Sequence, residues 1–160
     1  MSEQPKLPPT TAIEADDSLR AKTENWFEYP IRVYPHHTDY AGVVWHGSYI
    51  AWMEEARVEC LRSIGIDIAE LVALGCELPV VELAIRYHQA MTLGTEAILK
   101  TRMHERKGVR INWDQQIQSL TGHQLYMSAQ VTLVAVDRKE GKIMKRLPPS
   151  FNDALVRLVR

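Results

Sequence analysis

The sequence predicts an α+β domain in which an antiparallel five-stranded sheet wraps around one long central helix. Three observations predict it. Apolar residues recur with a period near 3.6 over residues 48–64, and with a period of two after residue 80. Turn signals at Leu93-Gly94-Thr95, Lys107-Gly108 and Thr121-Gly122 cut the later part into short-linked runs, which makes them antiparallel. A helix with a broad apolar face and few helical partners must bury that face on the sheet.

Each element follows in order. Residues 1–25 hold Pro5, Pro8 and Pro9, then a run of charges with little apolar surface to offset the entropy of ordering. This segment is expected to be a mobile N-terminal arm, and 26–160 the folded domain. Residues 27–34 (FEYPIRVY) read as a first strand, with Pro30 placing it at an edge or near a strand start. Residues 35–47 form a turn-rich connection containing Gly42 and Gly47. In 48–64, Tyr49, Met53, Ala56 and Cys60 make one stripe, Trp52, Val58 and Leu61 widen it, and Gly65 ends it. Residues 67–74 read as a short helical stretch. Strands follow in which Val81, Leu83, Ile85 and Tyr87, then Ala97, Leu99, Thr101 and Met103, then Ile111, Trp113, Gln115 and Ile117 alternate with mostly polar neighbours. Residues 125–136 give a last long strand, and 152–159 a short terminal helix.

Composition narrows the function. The 160 residues carry a formal net charge of −1, which argues against an electrostatic nucleic-acid binder. No apolar run approaches a membrane span, and the N-terminus has no apolar signal core. Cys60 and Cys76 are the only cysteines; they lack metal-site spacing and read as free thiols of a reducing compartment. A cytoplasmic protein is expected.

The chemistry concentrates in residues 31–57, IRVYPHHTDYAGVVWHGSYIAWMEEAR. Asp39 precedes a helix start. A helix N-terminus offers unpaired N–H donors and a partial positive charge, which can hold a carbonyl oxygen as it becomes an oxyanion. A carboxylate across the same space can attack the carbonyl carbon or activate water. A thioester suits such a site, because resonance with sulfur stabilises its carbonyl poorly and the thiolate leaves readily. Alone, Asp39 reads first as a turn cap. No metal is expected: His36 and His37 are adjacent and point apart if extended, and their spacing to Asp39 and His46 matches no ligand motif. Glu54, Glu55 and Glu59 read as a solvated helix face. Arg106, Lys107 and Arg110 cluster at a turn between strands, the ordinary reading of which is again a solvated face.

Arg32-Val33-Tyr34, Thr38-Asp39, Ala41-Gly42-Val43-Val44, His46, Tyr49 and Glu55-Ala56-Arg57 together resemble the signature of the 4-hydroxybenzoyl-CoA thioesterase family, in its bacterial acyl-CoA thioesterase branch. A second, weaker match runs from Tyr87 to Gly94. The resemblance implies a hot-dog fold and hydrolysis of an acyl-CoA thioester to a free carboxylic acid and coenzyme A. No cofactor is implied, coenzyme A being part of the substrate. It implies homodimers joined edge to edge, often paired into a homotetramer, with active sites between subunits, and no nucleic-acid or membrane partner. By resemblance, Asp39 is the catalytic nucleophile or general base, His46 polarises the carbonyl, and Tyr49 faces the acyl pocket. Arg106, Lys107 and Arg110 bind the coenzyme A phosphates. Another hot-dog branch carries its acid on the helix, which makes the three glutamates rivals to Asp39. Pro35, Ala90 and Thr95 depart from the family pattern, the first standing where a tyrosine is usual. Two other functions fit the pocket: a non-catalytic acyl-CoA-binding module and a hot-dog enoyl-CoA hydratase. The sequence does not specify the acyl group.

Overall fold

A computed structural model describes residues 26–158; the expected N-terminal arm lies outside them. The five-stranded antiparallel sheet has the order β1-β4-β5-β6-β3, with β1 Phe27–Arg32, β3 Val80–Tyr87, β4 Glu96–Lys107, β5 Arg110–Ser119 and β6 Leu125–Val134. Its inner face is built from alternate residues, as the period of two requires. Ala97, Leu99, Thr101 and Met103 of β4, and Ile111, Trp113, Gln115 and Ile117 of β5, are all buried. The opposite face carries Lys100, Arg102, Asn112, Asp114 and Gln116.

Helix α1, His46–Ser63, buries Tyr49, Trp52, Met53, Ala56, Arg57, Cys60 and Leu61. It packs chiefly on β1 and β4. It does not fill the sheet alone. Helix α2, Ile68–Ala73, is capped by Asp67, whose Oδ1 accepts from the Ala69 N–H at 2.8 Å. Helix α3, Pro149–Leu158, adds Phe151 and Leu155 to the core, both with no exposed surface. The expectation of one central helix was therefore too simple.

Three further features depart from expectation. First, β3 and β4 are not neighbours: β3 lies at the edge beyond β6, and β4 pairs with β1. The link from 88 to 95 is short enough for a hairpin but instead crosses the end of the sheet. Second, Val81, Leu83 and Tyr87 of β3 alternate like core residues yet are 41–49 % exposed, because nothing among the described residues covers the edge. Third, the chain leaves the main sheet after Val134, and a second sheet joins β2 Cys76–Glu77, β7 Val136–Asp137 and β8 Lys142–Ile143. No helix among the described residues is long and apolar enough to cross a membrane.

If α3 seals the core, Phe151→Ala should lower unfolding free energy by about 3–5 kcal/mol in a urea titration. A loss below ~1 kcal/mol would show that the helix merely rests on the surface.

Candidate active site

The crossover from β3 to β4 builds the site. It runs against the loop that precedes α1, and main-chain bonds lace the two together. The Val44 N–H donates to Met91 O at 2.9 Å, Leu93 N–H to Gly42 O at 3.1 Å, and Gly94 N–H to Val33 O at 3.0 Å. Gly42 has φ of +75°, a region disfavoured for residues with a Cβ, which lets the loop fold tightly enough to meet the crossover.

Asp39 holds that loop. Its Oδ1 accepts from the Ala41 N–H at 2.8 Å and the Val43 N–H at 3.3 Å. Its Oδ2 makes no hydrogen bond among the described residues. The cap that local chemistry predicts is therefore present, and one carboxylate oxygen is left over. The side chain is exposed in the single chain.

α1 then starts at His46, with Trp45 at the N-cap and no side-chain cap. The Ser48 N–H already donates to Trp45 O at 2.9 Å, which leaves the N–H groups of His46 and Gly47 at the helix mouth. The Trp45 ring lies over Gly47, where a Cβ would come within 2.0 Å of it, so glycine is required while that ring stays in place.

Asp39, His46 and Tyr49 line one cleft of about 350 Å³, together with Val44, Tyr87 and His88. Tyr49 is buried and its ring meets that of Tyr87 edge-on at 5.0 Å. Burial pushes both phenols above their ordinary value; for Tyr49 a backbone hydrogen bond from Met91 partly opposes this. The Tyr87 hydroxyl donates to His46 O at 3.2 Å and so ties the edge strand to the helix start. Sequence reading did not single out Tyr87 as a site residue. Its signal was there: it ends an alternating run and opens the second resembling block.

The basic trio does not stay together. Arg106 donates to Asn152 Oδ1 and lines a different cavity, of about 380 Å³, with Lys145 and Arg146. Lys107 and Arg110 face each other across the β4–β5 turn, and Arg110 Nη1 stands 3.8 Å from Glu82 Oε2. That turn is at the far end of β4 from the Asp39 loop. Eleven residue steps of strand separate the two ends, about 35 Å.

His36 and His37 do not point apart. They sit in a 3-10 turn, Pro35–His37, with ring centroids 3.9 Å apart. His37 Nδ1 accepts from the Tyr34 N–H at 3.0 Å, and its ring packs on Trp52 at 4.7 Å. No cluster of three metal-ligating side chains occurs among the described residues.

Comparison with known proteins fits this architecture. The sequence profile described as "Thioesterase-like superfamily" matches residues 33–155. The chain belongs to that superfamily. It stands with thioester hydrolases, in a grouping broader than the 4-hydroxybenzoyl-CoA thioesterase family alone. It is 52% identical over 161 residues to the Synechocystis sp. protein named "Putative esterase sll0410", covering 98% of this chain and 97% of that one. It is 32% identical over 125 residues to the "Acyl-CoA thioester hydrolase YbgC" of Escherichia coli O6:H1, covering 78% and 92%. A solved 1,4-dihydroxy-2-naphthoyl-CoA thioesterase from Synechocystis superposes with a TM-score of 0.77 at 25% identity, covering 84% of this chain and 98% of that one.

The His37 turn generates a pH prediction. Burial, then the neighbouring His36, lower the His37 pKa from its ordinary 6.5. Protonation would also remove the acceptor for Tyr34 N–H. A folded pKa below the unfolded one means the stabilisation is complete above about pH 6.5 and is lost as pH falls through the lowered value. Thermal unfolding from pH 8 to 5 should show this loss in the wild type and a smaller one in His37→Gln, whose amide oxygen can still accept. Equal slopes would remove His37 from the account.

Proposed function

We propose that the protein hydrolyses acyl-CoA thioesters to a free carboxylic acid and coenzyme A, with Asp39 as the catalytic carboxylate. One observation carries this: Asp39, with Oδ2 unengaged, lines the same cleft as the uncapped start of α1, in a chain of the thioesterase-like superfamily. The names of its relatives support the substrate class. Asp39 attacks the thioester carbon, or draws a proton from the water that does. The N–H groups near His46 hold the developing oxyanion. The C–S bond then breaks, and the thiolate leaves and takes up a proton. Hydrolysis of the acyl-enzyme in the first route, or direct water attack in the second, gives the same acid.

The site is completed across the open edge of the sheet. Among the described residues β3 has an unpaired side, with Val80, Val81, Leu83 and Tyr87 exposed, the kind of edge that proteins cover. A second copy pairing antiparallel along it brings one chain's Tyr87 end beside the other's Val80 end. β6 links Val80 to the basic turn, since Leu133 pairs with Val80 and Val134 with Arg110. The partner's turn then comes to the cleft that this chain's own turn is too distant to reach. The coenzyme A phosphates are thus bound by basic residues of the second subunit. A homodimer is the minimal active unit.

Two experiments test this reading. Asp39→Asn keeps the Oδ1 acceptor of the turn, so it should unfold near the wild-type midpoint while kcat/KM falls roughly 10²–10⁴-fold on a panel of acyl-CoAs. Asp39→Ala should lose both activity and, for want of the turn acceptor, about 1–2 kcal/mol of stability. Wild-type turnover in either rejects the assignment. For the edge, Leu83→Glu should shift the protein to a monomer in sedimentation analysis and abolish turnover together; an active monomer would refute the shared site.

A further inference from the structure

A second cavity lies between α1, α2 and the start of β3. It holds about 230 Å³ and is walled by Val58, Leu61, Leu71, Leu78 and Leu133, with Glu54 and Arg57 among its lining. An apolar void of about 150 Å³ suffices to take up benzene, so this one has room for a short acyl chain or one ring.

Arg57 makes the cavity unusual. It is only 7 % exposed. Its Nη1 donates to Gln115 Oε1 at 2.8 Å, and Gln115 in turn donates to Met53 O at 2.9 Å. Among the described residues that is its one hydrogen bond, and no carboxylate stands within ion-pair distance of it. Guanidinium has five N–H donors; those of Arg57 beyond the Gln115 bond are not among the sealed, unpartnered atoms, and the residue lines the cavity. Glu54, one turn earlier on α1, is exposed and makes no ion pair with it. Burial lowers the Arg57 pKa to about 10, with Glu54 opposing, which leaves the group charged at neutral pH. A cation set in a largely apolar wall with a single neutral amide as partner is best complemented by an anion.

We propose that this cavity receives the far end of the acyl group and that Arg57 selects acyl chains ending in a carboxylate. The proposal rests on the thioesterase reading above. Arg57 follows Tyr49 of the Asp39 cleft by eight residues on the same helix, about 12 Å. An acyl chain with its thioester at the cleft can extend along α1, lay its methylenes against the leucine walls, and present its terminal oxygens to the free guanidinium donors. Bidentate pairing with a carboxylate fits the planar fork, whereas a methyl end leaves the cation unsatisfied.

The test uses ten- and twelve-carbon acyl-CoAs, long enough to span about 12 Å of helix, ending in methyl, hydroxyl or carboxylate. Wild-type kcat/KM should favour the carboxylate end by tenfold or more, roughly the worth of a charge-assisted hydrogen bond. Arg57→Met should erase that preference while changing turnover of the methyl-ended substrates less than threefold. Glu54→Gln, which removes a like charge from the rim, should increase the preference. Should Arg57→Met fail to fold, Val72→Trp, which fills the cavity from a half-buried position of α2 that lines it, should depress the twelve-carbon carboxylate substrate at least tenfold. A wild type that prefers methyl or hydroxyl ends overturns the proposal and leaves the thioesterase reading intact. Titration of the wild type with non-hydrolysable thioether analogues of the same ligands measures the pocket without turnover. Carboxylate-selective binding lost in Arg57→Met upholds the pocket even if no acyl-CoA is cleaved. Equal binding of all three ends refutes it.

Discussion

The site depends on the main-chain lacing between the 39–44 loop and the crossover that leaves β3. Those bonds are few, but they join two segments that have no regular partner of their own. Val43 and Thr92 form a lone bridge, and Thr38 and Val44 another. Without them the loop would have no fixed position relative to the sheet, and Asp39 no fixed position relative to the first turn of α1. Backbone hydrogen bonds suit this task because each donor left unpaired in a half-buried loop costs more than a formed bond returns. The geometry is thereby held by the chain itself, and the side chains are left for chemistry.

Asp39 divides its two carboxylate oxygens between a bonded and an open side. The residue-level reading offered two roles, a cap or a reagent. The structure shows the cap directly, through Oδ1, and leaves Oδ2 unbonded, so the two roles do not exclude each other. That division makes the length of the side chain matter. Moving the carboxylate by one methylene would lose the bonds to Ala41 and Val43 that set the turn.

Much of this was legible in the sequence. The inner-face residues of β4 and β5 were readable because a period of two is local, as was the apolar stripe of α1. Asp39, His46 and Tyr49 meet in one cleft because all three belong to a single contiguous stretch. What failed was long-range. The short 88–95 link resembled a hairpin turn, and only the sheet order reveals a crossover. Arg106 parted from Lys107 and Arg110 because successive strand residues face opposite ways, and because Asn152 arrives from α3. His36 and His37 were judged as extended chain, but Pro35 starts a 3-10 turn that brings their rings together at a tilt. Arg57 was visible only as part of a resembling motif, since burial without a counter-charge is a property of the packed chain.

Tyr87 ends the exposed edge strand and also holds the carbonyl of His46. Whatever abuts that edge therefore presses on the residue that anchors the helix mouth. In the single chain that hold is already closed, so the bare strand edge and the helix mouth are mechanically one piece.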